Sequence, residues 1–231
     1  KKRAILMLTA LAMAASMAAC GDKKTDETAA DSTEVAMTEA GTESTEAETE
    51  SEEVLPEGMY RSELTNELID ESLKNESRGG GMVDNESIAL PHYGLSQADV
   101  VYEMMNSTLN GRITRFMVLV KDWENIKQLG SIRSVRPTNI LIASEWNAVI
   151  CHDGGPFYID EYMADPSVDN FSGTFSRVDN GKSREYTEYI LPGDLDKNFE
   201  NSGVSKEYTS YYEGPHYQFA SESNPVDLSS A

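Results

Sequence analysis

The segment "RITRFMVLVK", residues 112–121, constrains the fold more than any other. Phe116 to Val120 is apolar without a break. A strand with one wet face alternates apolar and polar residues, so an unbroken run belongs to a central strand covered on both faces of a layered structure. Successive strand side chains point to opposite faces. Ile113, Arg115, Met117 and Leu119 therefore share one face, and Arg112, Thr114, Phe116 and Val118 the other. An arginine among apolar neighbours seeks a carboxylate, and Glu103 on the preceding strand is the expected partner.

The surrounding segments fit that strand. "VVYEMM" (100–105) reads as its neighbour across the turn "NSTLNG", in which Asn110-Gly111 is a strong hairpin signal. Pro91 and Gly94 mark a turn, and Ser96 suits the start of a short helical turn. Pro137 suits the first turn of a helix running to about Trp146. Ala148 to Cys151 reads as a buried strand, and "FYIDEYMA" as a short helix. "MYRSELTNELIDESLKNES" is weakly helical in pattern, and the triplet Gly79-Gly80-Gly81 is expected to interrupt any element. Past Asp165, "TFSRV" and "REYTEYIL" are short strand candidates. The predicted class is α/β, an α+β mixed sheet, in one domain over residues 58–231.

Upstream lies different chemistry. "KKR" followed by a run of small apolar residues from Ala4 to Ala19 fits a signal peptide (1–19) rather than a membrane span, which needs about 20 residues. "SMAAC" resembles a bacterial lipobox, which makes Cys20 the expected lipidation site, carrying palmitate-type acyl chains. The sequence begins at Lys1 rather than Met. From the lipidated Cys20, residues 20–57 form the linker. Residues 21–57 hold 13 acidic residues, two lysines and few large apolar side chains, the composition of a disordered tether. The expected location is the extracytoplasmic face of the bacterial cell membrane, held by lipid without spanning it.

The remaining 174 residues carry 27 acids against 14 bases, a net of −13, which argues against nucleic acid. Cys151 sits in an apolar run and reads as a small buried hydrophobe.

"MVDNE", "GLSQADVVYE", "ITRFMVL", "GSIRSVRP" and "HDGG", taken together and in this order, resemble the signature blocks of the YerB-like lipoproteins. These form a bacterial family whose domain has no assigned activity. The resemblance covers roughly residues 56–231. It implies the fold unit, the lipid anchor and a second, C-terminal domain beyond these residues. Two departures stand out. "SRGGG" precedes Met82 where members carry Arg-Pro and apolar residues, which is expected to weaken the first core strand. The hairpin is also longer than in the family, so Asn110 and Arg112 are not carried over.

The polar residues of those blocks are Asp84, Asn85, Glu103, Arg115, Arg133, Arg136, His152 and Asp153. Six of the domain's bases (Arg112, Arg115, Lys121, Lys127, Arg133, Arg136) fall within residues 112–136 with only Asp122 and Glu124 for acids, a local net of +4. A positive island in an acidic domain is a candidate anion site. Arg133 and Arg136 would flank a helix N-terminus, where free N–H groups favour anions. One reading is therefore a binding or interaction module, for an anionic envelope ligand or a partner protein: Arg133, Arg136, Arg115, Asp84 and Asn85 hold a carboxylate, phosphate or sugar acid, as a small molecule or part of an envelope polymer, while His152 and Asp153 orient or activate it. The other is an internal ion-pair network with Asp84, Glu103 and Asp153 as the acids. Both stay open at this level, and one network can serve both. A hydrolase or transferase using His152, Asp153 and Glu103 as acid–base groups is the alternative function. No cofactor is expected. With three histidines and no HxxxH spacing, no metal is expected either. There is no GxSxG elbow and no phosphate-binding glycine loop, and Cys151 beside His152 faces the opposite way.

Overall fold

The structure is a computed structural model that describes residues 53–109, 111–221, 225–227 and 229. Residues 1–52, which include the signal-like run, Cys20 and nearly all of the acidic stretch, lie outside the described residues, as does Asn110.

The first segment is not helical. It folds as an antiparallel ribbon of β1 (Met59–Arg61) and β2 (Leu68–Asp70). Asn66, at φ 61°, turns the chain back, and Ser62 donates its N–H to Glu67 O while accepting from the Asn66 N–H, both at 2.8 Å. The glycine triplet also departs from expectation. It opens β3 (Gly79–Asp84), which is buried along its whole length. Close packing is the reason: a Cβ on Gly81 would lie 2.9 Å from Leu129 and 3.2 Å from Val118, so bare backbone fits where a side chain would not.

β4 (Val100–Met105) and β5 (Thr114–Val120) form the expected hairpin. There follow β6 (Leu129–Gly130), α1 (Pro137–Glu145), β7 (Val149–His152), α2 (Asp160–Met163), β8 (Asn170–Ser172), β9 (Ser176–Arg177), β10 (Glu188–Ile190) and α3 (Asp194–Ser202). The main sheet has the order β4-β5-β3-β7-β8. It is antiparallel from β4 to β3 and parallel from β3 to β8, so the chain is a mixed-sheet α/β structure. β6, β10 and β9 make a small antiparallel sheet.

Two-residue alternation sorts the central strands onto two cores. Met82, Met117, Leu119 and Ile150 face Ile140, Ala143 and Trp146 of the α1 region. Val83, Val118, Val120, Val149 and Cys151 face Leu129, Phe171, Leu195 and Phe199. Each fully buried aliphatic side chain of this kind is worth about 1.5–3 kcal/mol. The α3 helix has no strong sequence signal: only Leu195 and Phe199, four apart, carry its apolar face, and Phe199 stacks on Trp123 at 5.4 Å.

Because β3 and β5 are antiparallel while β3 and β7 are parallel, Asp84, Arg115 and His152 come to the same end of the sheet. The backbone of residues 132–135 runs across that end. Asp84 N–H donates to Ser131 O at 3.0 Å, Arg133 N–H to Met82 O at 2.9 Å, Asp153 N–H to Arg133 O at 3.0 Å, and Val135 N–H to Gly154 O at 3.1 Å. The C-terminal ends of parallel strands are where open α/β sheets place ligands.

Candidate functional site

Register decides which acid meets Arg115. Asp84 lies directly opposite it on β3, whereas Glu103 on β4 lies opposite Phe116 and so turns to the other face. Arg115 accordingly pairs with Asp84 (Nη2 to Oδ2, 3.7 Å) and donates from Nη1 to Ser134 O at 2.6 Å. The expected Arg115–Glu103 pair does not form. Glu103 instead accepts hydrogen bonds from Thr114 (2.7 Å) and Asn85 (3.2 Å), and Asn85 also donates to Thr114.

Asp84 is fully buried and serves two arginines. Its Oδ2 accepts from Arg133 Nε at 2.7 Å, and its Oδ1 accepts the Glu86 N–H at 2.9 Å. Arg133 also meets Glu185 at 3.0 Å and lies over the Tyr186 ring at 4.9 Å. Burial works against the Arg133 charge, but Asp84 and Glu185 outweigh it and hold the guanidinium above its ordinary pKa.

Arg136 is treated differently. It precedes α1, its N–H donates to the Asn139 side chain at 2.9 Å, and its Nη1 reaches the Val135 carbonyl at 2.9 Å. Among the described residues no carboxylate forms an ion pair with it. Burial lowers its pKa, and Arg133 adds to the depression against an opposing contribution from Tyr158. Burial likewise pushes Arg115 down to about 10, opposed by Asp84 and reinforced by Arg136 and Arg133. Arg115 Nε has no hydrogen-bond partner among the described residues. Three guanidinium groups thus influence one another around one buried carboxylate, Asp84, with Glu185 beside Arg133 and the partly buried Glu86 acting on Arg115. Such an end attracts an anion.

The remaining predicted residues go elsewhere. His152 is buried, with Nδ1 2.8 Å from Gly154 O and Nε2 3.2 Å from the Asn170 side-chain oxygen. Asp153 joins Arg177 and Glu188: Arg177 Nη2 is 2.9 Å from Asp153 Oδ2 and 2.5 Å from Glu188 Oε2. Burial, and then the hydrogen bond with Asp153, pushes the Glu188 carboxyl up to about 7. Burial also acts to raise Asp153, but the bonds to Glu188 and Arg177 prevail and hold it below the usual range. The two carboxyls, both on Arg177, are thus pushed apart, Glu188 upward and Asp153 downward. Of the six-base island, Arg112 and Lys127 are exposed and Lys121 lies at the far end of β5; only Arg115, Arg133 and Arg136 come together.

At that far end lies a second charged cluster absent from the sequence reading. Arg78 Nη2 meets Glu63 at 2.9 Å, and Lys121 Nζ meets the same carboxylate at 3.0 Å. The Arg78 guanidinium lies 4.8–5.1 Å from the ring centres of Trp146, Tyr208 and Tyr212. The signals available in the sequence were a lone arginine before the Gly triplet and, for the other cluster, a lone glutamate inside "YTEYIL". No group of three or more His, Cys, Asp or Glu among the described residues is placed to hold a metal.

Residues 64–205, which contain every candidate above except Glu63 and the two C-terminal tyrosines, match a family model described as a protein of unknown function (DUF3048), N-terminal domain. The crystal structure of the YerB protein from Bacillus subtilis is similar in fold, with a TM-score of 0.58 at 21% sequence identity. The likeness covers 64% of this chain and 51% of that one, so this chain spans about half the length of that structure. No curated protein matches.

Proposed function

The chain belongs to the family of the DUF3048 N-terminal domain, and we propose on that premise that it is a lipid-anchored extracytoplasmic binding module for an anionic envelope ligand, held at Arg136. The observation that carries this reading is the unequal pairing of the arginines. Asp84 and Glu185 answer Arg133, and Asp84 answers Arg115, but among the described residues Arg136 has only a backbone carbonyl. Arg133 and Arg115 are then the fixed wall of the site, Asp84 sets their orientation, and Asn85 braces the neighbouring strands. A carboxylate or phosphate on Arg136 would gain charge-assisted hydrogen bonds and relieve repulsion among the three cations. The lipobox-like "SMAAC" and the acidic stretch behind it support a tethered location.

Thermal unfolding of the purified chain with inorganic phosphate or citrate tests this. The wild type should be stabilised by millimolar anion, and Arg136→Ala should lose that stabilisation while unfolding normally without it. Equal stabilisation of both proteins would overturn the reading. For the anchor, Cys20→Ala should abolish incorporation of a palmitate analogue and release the protein from membranes. Continued labelling of the variant would remove Cys20 as the acylated residue.

A hydrolase or transferase is the second reading, and one observation favours it: the carboxyls of Asp153 and Glu188 meet on Arg177 Nη2 beside the C-terminal end of β7. In this form the acid–base role rests on Asp153 and Glu188, because His152 has both ring nitrogens engaged and Glu103 is bonded to Thr114 and Asn85. Full turnover by Asp153→Asn on any substrate found would end it.

A further inference from the structure

We propose that the anion site continues onto Phe157 and Tyr158, so that its ligand is a sugar acid within an otherwise neutral glycan, carboxylate on Arg136 and ring face on the aromatics. This rests on the anion-binding reading above and names its ligand class.

Phe157 is 87% exposed and Tyr158 51%, in an edge-to-face pair with centroids 5.5 Å apart. Two large rings side by side and this open to water offer an apolar face on which a ligand ring can lie. Their position relative to Arg136 is fixed by backbone. The Val135 N–H bonds Gly154 O at 3.1 Å, so the residue before Arg136 is clasped to the residue two before Pro156. Gly155 permits the tight turn that follows: a Cβ there would lie 2.2 Å from Ile159 Cδ1 and 3.4 Å from Val135 O. Ile159 drops into the core, and Phe157 and Tyr158 are left facing water.

The combination selects among anions. Inorganic phosphate has no use for a ring face, and a lipid tail needs more apolar surface than two rings supply. A pyranose offers both parts: C–H groups for an aromatic face and, if oxidised or acid-substituted, one carboxylate for a guanidinium. The domain's net charge of −13 repels a long polyanion, so charge on the ligand should be sparse.

The test titrates the full chain with D-glucuronic acid, D-glucose and inorganic phosphate, by calorimetry or ligand-observed NMR. Wild type should bind glucuronic acid more tightly than phosphate, and glucose least. Replacing Phe157 and Tyr158 together by Ala should weaken glucuronic acid about five- to tenfold and leave phosphate unchanged. Arg136→Ala should lose both anions. If the aromatic double variant binds glucuronic acid as wild type does while Arg136→Ala does not, the sugar assignment falls and the anion site stands. If Arg136→Ala binds normally, or wild type binds neither anion at millimolar concentration, both fall. Both aromatic side chains are exposed, so unaltered thermal unfolding of the double variant confirms that binding and not folding was changed.

Discussion

At the N-terminal end of β3, Arg78 and Lys121 share one carboxylate, Glu63, and their excess charge meets three aromatic rings, the Tyr208 hydroxyl and the carbonyls of Lys74, Glu76 and Trp146. At the C-terminal end, Arg133 and Arg115 share Asp84, and Arg136 stands beside them with, among the described residues, a carbonyl alone. Both ends carry more cations than buried acids. What differs is the cover. Residues 208–212 close over the first cluster, and the protein itself supplies what positive charge requires. The second is left for something else to complete. A cluster that is satisfied internally reports on folding, whereas one left incomplete reports on binding.

The sharpest way to break this contrast is Arg78→Ala. It would leave Glu63, now held at about 2 by Tyr208 and Lys121 against the effect of burial, without its arginine. It would also open a gap among three rings. The expected loss is about 3–5 kcal/mol in urea denaturation, with no recovery on adding phosphate. Asp84→Ala should cost about 3 kcal/mol by stranding two guanidinium groups. Here added phosphate should restore part of the loss. Equal insensitivity of the two variants to phosphate would erase the distinction between the ends.

A smaller effect belongs to Glu188. Its folded carboxyl keeps its proton up to about 7, whereas the ordinary value is 4.5. Its contribution is therefore complete below about pH 4.5 and is lost as pH rises through 7, on the order of 1–3 kcal/mol. Glu188→Gln should flatten the pH–stability curve over that window, leaving a residual slope from Glu76, which burial also pushes up to about 7. An unchanged slope would show that the pair does not hold a proton. Smallest is Arg136→Ala without ligand, expected within about 0.5–1 kcal/mol of wild type. A loss as large as that of Arg78→Ala would make Arg136 a structural cation and remove the basis for an open site.

The strands at 100–105, 114–120 and 149–152 and the helix from Pro137 were legible because side-chain periodicity and proline placement announce them. β3 was hidden for the converse reason: half of it is glycine, which carries no period to read. α3 was missed because two apolar residues in nine give too little amphipathic signal. Within the site, Arg133 with Asp84 was foreseeable as a network pair, and the helix start beside Arg136 was too. The partner of Arg115 needed a strand register that spacing alone does not fix. Glu185, Glu188 and Arg177 lie in the short, loop-rich half of the chain, where no pattern brings distant charges together.

A strand that begins with three glycines has an ambiguity built into it. Side chains normally tell a strand which face is which, and a shift by one residue exchanges the faces. A shift that brings Gly80 to the place of Gly81 would keep bare backbone against Leu129 and Val118, and Met82 and Val83 are each apolar enough to sit in either core. Asp84 would not tolerate it. That step along β5 would carry it away from Arg115 and Arg133 to a place opposite Thr114, whose hydroxyl already donates to Glu103, so that a carboxylate without its cations would stand beside another. The ion pair at the rim of the candidate site therefore also acts as the alignment mark of the central strand. A change that removes it endangers the choice between two sheets as well as the strength of one.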